Sequence, residues 1–187
     1  CQLTWDHFFP GETPPPALAY IADRDLWRWD LLWSKEVAAT LTGISPSTEA
    51  FEAYNDSLDA NNFDATVEKG HGLLEFFEVL YEKALAKSFY VELLRTKILF
   101  VPTLQVLASE LGSYAATRSL GKVACVFSVG SNGVTLSFRT VDGVDASPLA
   151  KMFGGGGHKA ACGAKISLEL FISLVNQNKT PIFEVLP

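Results

Sequence analysis

The decapeptide at residues 154–163, GGGGHKAACG, constrains this chain more than any other stretch. Glycine loses more conformational freedom on folding than any other residue. Four in a row therefore imply a backbone path that side chains would obstruct. A tight turn satisfies that need, and so does a close approach of the backbone to a ligand. The following residues, His158, Lys159, Ala160 and Ala161, read as the first turn of a helix, whose free amides and dipole favour an anion. His158 and Lys159 add donors beside it, and an imidazole can be neutral or charged near neutral pH. A flexible surface turn is the plainer alternative, but the small residues packed around the glycines make the pattern more specific than a lone glycine pair.

The stretch before the loop strengthens the anion reading. In TLSFRTVDGVDASPLAKMF, Arg139 closes a strand-like run and the glycines follow the next helix. Strand ends and helix ends meet at one edge of an α/β sheet, where ligands usually bind. A guanidinium there can grip a phosphate with two parallel hydrogen bonds, for which an ammonium is less well shaped.

Periodicity divides the chain in two. Pro16 opens a short helix at 17–21 behind a run of three prolines, and Trp27, Trp29 and Trp33 crowd the segment after it. Such a cluster packs in a core or against a neighbouring lobe, with base stacking as the sharper reading. Residues 34–42 and 47–58 read as helices with serine caps, although Ser47 has Ala50 where a capping-box glutamate would stand. From Asn61 to about Leu94 an amphipathic pattern runs through Phe63, Val67, Leu73, Leu74, Phe77, Leu80 and Tyr81. It reads as one long connecting helix, bent near Gly70 and Gly72.

After residue 95 the pattern alternates. Strand-like runs at 97–104, 122–128 and 134–140 surround a helix at 106–117, with hairpin punctuation in VGSNGV. A helix at 145–153, a strand at 164–167, a helix at 168–176 and a final strand at 181–185 complete the unit. The fold class is thus α/β. Residues 95–187 form a domain with a mixed sheet, preceded by a mainly helical segment at 1–60 and the connector at 61–94.

Charge is uneven along the chain. Residues 1–94 hold 6 basic and 16 acidic side chains, whereas residues 95–187 hold 9 and 5. An acidic half beside a mildly basic half suits a cation site in one lobe and an anion-reading surface in the other, although most of these acids are solvated helix faces. The overall charge of −6 disfavours long nucleic acids. No apolar run approaches the roughly 20 residues that cross a bilayer, and the start CQLTWDHFF has no secretory pattern. The three cysteines, Cys1, Cys125 and Cys162, form no metal-ligand or disulfide framework. A reducing compartment is expected, cytoplasm or organelle matrix, with Cys125 and Cys162 as small core residues.

The string SFRTVDGVDASPLAKMFGGGGHKAACG resembles the signature of the DHH-associated domain, and SELG at residues 109–112 is similar to the helix that opens it. Upstream, FFPG, PPP and YIADRDLWRW resemble the end of the DHH catalytic domain in phosphoesterases described as exopolyphosphatase-related or oligonucleotide-degrading. The resemblance implies a pair of divalent ions, commonly manganese, held by aspartates and a histidine in the first lobe. It implies a second lobe that holds the phosphate or nucleotide end of the substrate. On that basis Arg139, Gly154, Gly155, Gly156, Gly157, His158 and Lys159 are the expected substrate-binding residues, and Asp23 or Asp25 a late metal ligand. Substrates in this class are short oligonucleotides, cyclic dinucleotides, nucleoside bisphosphates and polyphosphate. The family's Asp-x-Asp and Asp-His-His motifs are not in the sequence. Asp6-His7 is followed by Phe8 and does not supply the second of them, so both motifs are expected before Cys1, and the 187-residue chain is expected to be inactive by itself. A binding or assembly subunit without hydrolysis is the alternative, and a homodimer or larger assembly is compatible with either. A nucleic-acid-binding accessory domain like that of alanyl-tRNA synthetases is a third reading.

Overall fold

A computed structural model describes residues 1–180. The chain divides into two compact units, residues 1–79 and 80–187. The strand expected at 181–185 lies outside the described residues.

The first unit is helical: α1 (Gln2–Phe8), α2 (Pro16–Asp25), α3 (Ser34–Leu41), α4 (Thr48–Asp56) and most of α5 (Phe63–Leu85). Its core is Ala17, Val37, Tyr54, Leu58 and Val67, with Tyr20, Phe51 and Phe63 packed around them. Pro16 occupies the first turn of α2, where its missing N–H costs nothing. The helix runs on to Asp25, beyond the residues 17–21 read from sequence. Ser47 caps α4, its hydroxyl accepting from the Ala50 amide at 3.2 Å. Ser34 does not cap α3. Its hydroxyl donates to Asp23 instead, at 2.5 Å.

The long helix α5 continues unbroken through Gly70 and Gly72. Gly70 has a different reason to be glycine. A Cβ there would collide with the backbone carbonyl of Glu36, so the missing side chain lets α3 and α5 touch. Gly72 faces open space. The helix stops at Leu85, and Phe89–Leu93 is a strand (β1), not more helix. The sequence signal fails there because β1 is buried at Tyr90, Val91 and Leu93 and so extends the apolar run of the helix before it.

The second unit is built on a mixed seven-stranded sheet ordered β5-β6-β4-β3-β2-β1-β7. The strands are β1, β2 (Thr96–Pro102), β3 (Val123–Gly130), β4 (Gly133–Thr140), β5 (Gly156–Gly157), β6 (Ala161–Ile166) and β7 (Lys179–Thr180). Among the described residues only β2 and β3 pair in parallel. Their crossover carries a short 3-10 turn and α6 (Ala108–Arg118). One sheet face carries Ile98, Phe100, Cys125, Leu136, Phe138 and Ile166, packed with Leu149 and Ala150 of α7 (Ser147–Met152) and Phe171 and Leu174 of α8 (Leu168–Asn178). Alternate residues such as Leu99, Val101, Ala124 and Val126 are also buried, on the α6 side. Burial on both faces explains why the central strands read as continuous apolar runs.

Candidate functional site

The glycine run folds as the exit of a helix and the start of a hairpin. Gly154 follows the end of α7 with φ +72. Its amide donates to the Lys151 carbonyl at 3.0 Å and the Gly155 amide to Ala150 at 2.9 Å, the paired bonds of a Schellman stop. The next constraint is close strand packing. A Cβ on Gly155 would strike the Gly163 carbonyl, and one on Gly157, at φ +134, would stand 2.6 Å from the Cys162 Cα. A Cβ on Gly163 would meet the Leu136 carbonyl at 2.7 Å. These glycines let β5, β6 and β4 approach one another. Gly156 alone is under neither constraint: it is exposed and has open space around it.

The residues after the glycines are not a helix. His158 and Ala161 exchange backbone hydrogen bonds at 2.9 and 3.2 Å, closing a hairpin whose tip is Lys159-Ala160. The strand expected at 164–167 begins at Ala161. Residues 158–161 thus supply no helix N-terminus, and the dipole argument built on them falls away. What brings charge together is register. Arg139 of β4 pairs with Ala161 of β6, and Ala161 faces His158 across the hairpin. His158 and Arg139 thus stand two strand spacings apart, roughly 10 Å between backbones, with alanine between them. His158 and Lys159 are exposed. The Lys159 carbonyl accepts from the Ala146 amide at 2.9 Å, tying the hairpin tip to the start of α7.

Arg139 stands near the end of β4, half-buried beneath α6. Its Nη1 donates to the Phe138 carbonyl at 2.9 Å and its Nη2 to the Ser109 hydroxyl at 3.0 Å. Burial pulls its pKa below the ordinary arginine value, while Cys162 and Glu110 nearby pull the other way. Both hydrogen-bonded acceptors are neutral, and the opposite charge near it is that of Glu110. Asp145, exposed at the start of α7, is held below the usual carboxylate range by the Ser147 hydroxyl and amide, and further by Lys159 and Lys151. Cys162 and Cys125 lie in one row across Phe138, and burial raises both thiols. They remain protonated at neutral pH and serve as packing groups.

Asp23 is buried in the first unit and its carboxylate is occupied. It accepts from the Ser34 hydroxyl, from the Asp30 amide at 3.1 Å and from the Leu31 amide at 3.5 Å. Burial alone would raise its pKa, but these hydrogen bonds and Arg28 outweigh it and hold the carboxyl below the ordinary value. The loop it pins is strained: Trp27, Trp29 and Trp33 sit at φ 57, 60 and 56, a left-handed conformation rare for aromatic residues. Trp27 and Trp29 meet edge to face at 5.0 Å between centroids, and Trp33 meets His71 at 5.2 Å. These tryptophans do not form a core, since Trp27 and Trp33 remain 43% and 44% exposed. Asp25 is exposed and pairs only loosely with Arg24, at 3.7 Å. Among the described residues no three His, Cys, Asp or Glu side chains are grouped to hold a metal ion. Asp23 and Asp25 therefore do not make up a divalent-ion site from the side chains around them.

Sequence reasoning misses the part played by Ser109 and Gly112, which enter it only through a resemblance. A glycine inside the α6 pattern is the available signal.

Comparison with known proteins gives three findings. The family model of the DHHA1 domain matches residues 102–179. An uncharacterized protein of Acanthamoeba polyphaga mimivirus, R106, is 29% identical over 174 residues, covering 88% of this chain and 40% of that protein. The chain thus spans well under half of this relative's length. Among solved structures, the pGpG-specific phosphodiesterase PggH of Vibrio cholerae aligns at 16% identity with a TM-score of 0.47, covering 94% of this chain and 71% of PggH. RecJ of Thermus thermophilus, in complex with Mn2+, aligns at 20% identity with a TM-score of 0.48, covering 77% of this chain and 22% of RecJ. No helix among the described residues is long and apolar enough to cross a membrane.

Proposed function

We propose that this chain, whose residues 102–179 match the family model of the DHHA1 domain, is the substrate-holding part of a phosphoesterase. Its ligand is a small phosphate-bearing molecule, and a short 5′-phosphorylated oligonucleotide is the probe of choice. One observation carries the reading. Arg139 is desolvated, hydrogen-bonded only to neutral oxygens and one alanine away from the hairpin that presents His158 and Lys159. A half-buried guanidinium gains more from a phosphate than an exposed one does, because the surrounding medium screens the attraction less. Gly156, in β5 at the edge next to β6, has open space around it. His158 and Lys159 then act as mobile donors around the ligand and Arg139 as its fixed anchor.

Hydrolysis in this reading depends on divalent ions, manganese by resemblance, which activate water and stabilise the leaving oxygen. The described residues supply no ligand set for them. The same observation favours a second reading, a binding subunit that does not cut. Two measurements decide. Calorimetry of the 187-residue chain should detect a 5′-phosphorylated dinucleotide and fail to detect its unphosphorylated counterpart; equal binding of the two would remove the phosphate from the site. Manganese with a chromogenic phosphodiester should give no turnover by this chain alone, and turnover would overturn that statement.

A further inference from the structure

We propose that Gly112 and Ser109 are positioning residues that form a seat for Arg139 and set the affinity of the site through it. The inference rests on the reading of Arg139 as a phosphate ligand. Gly112 lies inside α6, where alanine is the better helix former. The same helix carries alanine at 108, 115 and 116. Its backbone is ordinary helix, so conformational freedom does not explain the choice. The neighbour does. A Cβ at position 112 would stand 2.7 Å from the Arg139 Cγ and 3.3 Å from its Cβ, closer than packed carbons tolerate. The empty volume at Gly112 is the channel in which the aliphatic stem of Arg139 lies.

Ser109, one turn earlier on the same helix face, takes the far end of that side chain through its hydroxyl, at 3.0 Å from Nη2. The Phe138 carbonyl takes Nη1 at 2.9 Å. Stem and head are therefore fixed at separate points, and the guanidinium reaches the ligand in one orientation. A long side chain so restrained loses less rotamer freedom on binding than a free one. Shifting the stem at Cγ swings the guanidinium through a larger arc, because three further bonds lie between them.

The experiment is calorimetry with a 5′-phosphorylated dinucleotide on the full chain and on Gly112→Ala, Arg139→Ala and the double variant, with Ser109→Ala and Ser109→Thr beside them. Gly112→Ala should weaken binding about tenfold, the scale of one disturbed charge-assisted bond, in a variant that still unfolds cooperatively. The double variant should bind no more weakly than Arg139→Ala alone, since Gly112 acts only through that residue. Ser109→Ala should weaken binding several-fold and Ser109→Thr, which keeps the hydroxyl, should restore it. Additive losses in the double variant would overturn the proposal. So would wild-type affinity in both Gly112→Ala and Ser109→Ala while Arg139→Ala is impaired, and that outcome leaves the phosphate reading standing. Unchanged affinity in Arg139→Ala rejects the phosphate reading itself.

Discussion

Asp23 in the helical unit and Arg139 in the sheet unit are charged groups buried fully and by half, and they are treated differently. Asp23 receives three hydrogen bonds from its own loop, two of them from backbone amides, so its carboxylate has little capacity left for a ligand. Arg139 makes two, both to neutral oxygens, and its guanidinium has further N–H groups to offer. The difference separates a scaffold from a site. A buried charge satisfied by its own loop holds that loop in shape. A buried charge left partly unsatisfied is held ready for something else.

The largest effect that would sharpen this contrast is on stability. Asp23→Ala leaves the Ser34 hydroxyl and the Asp30 and Leu31 amides without their acceptor and releases three left-handed tryptophans. It should destabilise the first unit by about 2–4 kcal/mol in urea unfolding followed by tryptophan fluorescence. Asp25→Ala, on an exposed residue, should change it by less than about 0.5 kcal/mol. Equal effects would erase the distinction. The pH dependence has a definite sign. The folded Asp23 carboxyl titrates below its unfolded value, so its contribution is complete at neutral pH and is lost only as pH falls below about 4. Loss of the tryptophan signal between about pH 5 and 7 would contradict that assignment.

Next in size are the helix glycines. Gly70→Ala, which drives a methyl into the Glu36 backbone, should cost about 1–3 kcal/mol. Gly72→Ala, in open space on the same helix, should stabilise by about 0.5–1 kcal/mol. The hairpin offers the matching pair: Gly157→Ala should destabilise the sheet unit, and Gly156→Ala should leave its melting temperature within a degree or two. The smallest effect is chemical. Cys125 and Cys162 are buried with raised pKa values, so an alkylating reagent should label exposed Cys1 in the native chain and all three cysteines only after denaturation.

Much of the sheet unit is legible in the sequence because its signals are local. The Gly130–Gly133 hairpin, Arg139 at the end of β4 and the helix before the glycines follow from turn chemistry and apolar runs. Two things are not legible, for the same physical reason. β1 reads as helix because its apolar residues continue the pattern of α5, and pairing with β2 and β7 makes it a strand. The turn at His158 reads as helix because HKAA favours one locally, whereas pairing of Gly156 and Gly157 with β6 requires a hairpin. Long-range pairing overrides local preference in both. Of the site, the register that unites Arg139 with His158 depends on β6 lying against β4, a non-local fact. The glycines are needed for the reason the sequence suggests, an obstructed backbone. The obstacle is mostly a neighbouring strand, and only Gly156 is free for a ligand.

The central claim is that Arg139 anchors a phosphate. Its most direct test is the affinity of Arg139→Ala for a 5′-phosphorylated dinucleotide, with melting temperature recorded to confirm the fold. Loss of a charge-assisted bond should weaken binding by about 1.5–3 kcal/mol, or roughly 10- to 150-fold. An affinity equal to that of the unaltered chain, in a variant that melts normally, would contradict it.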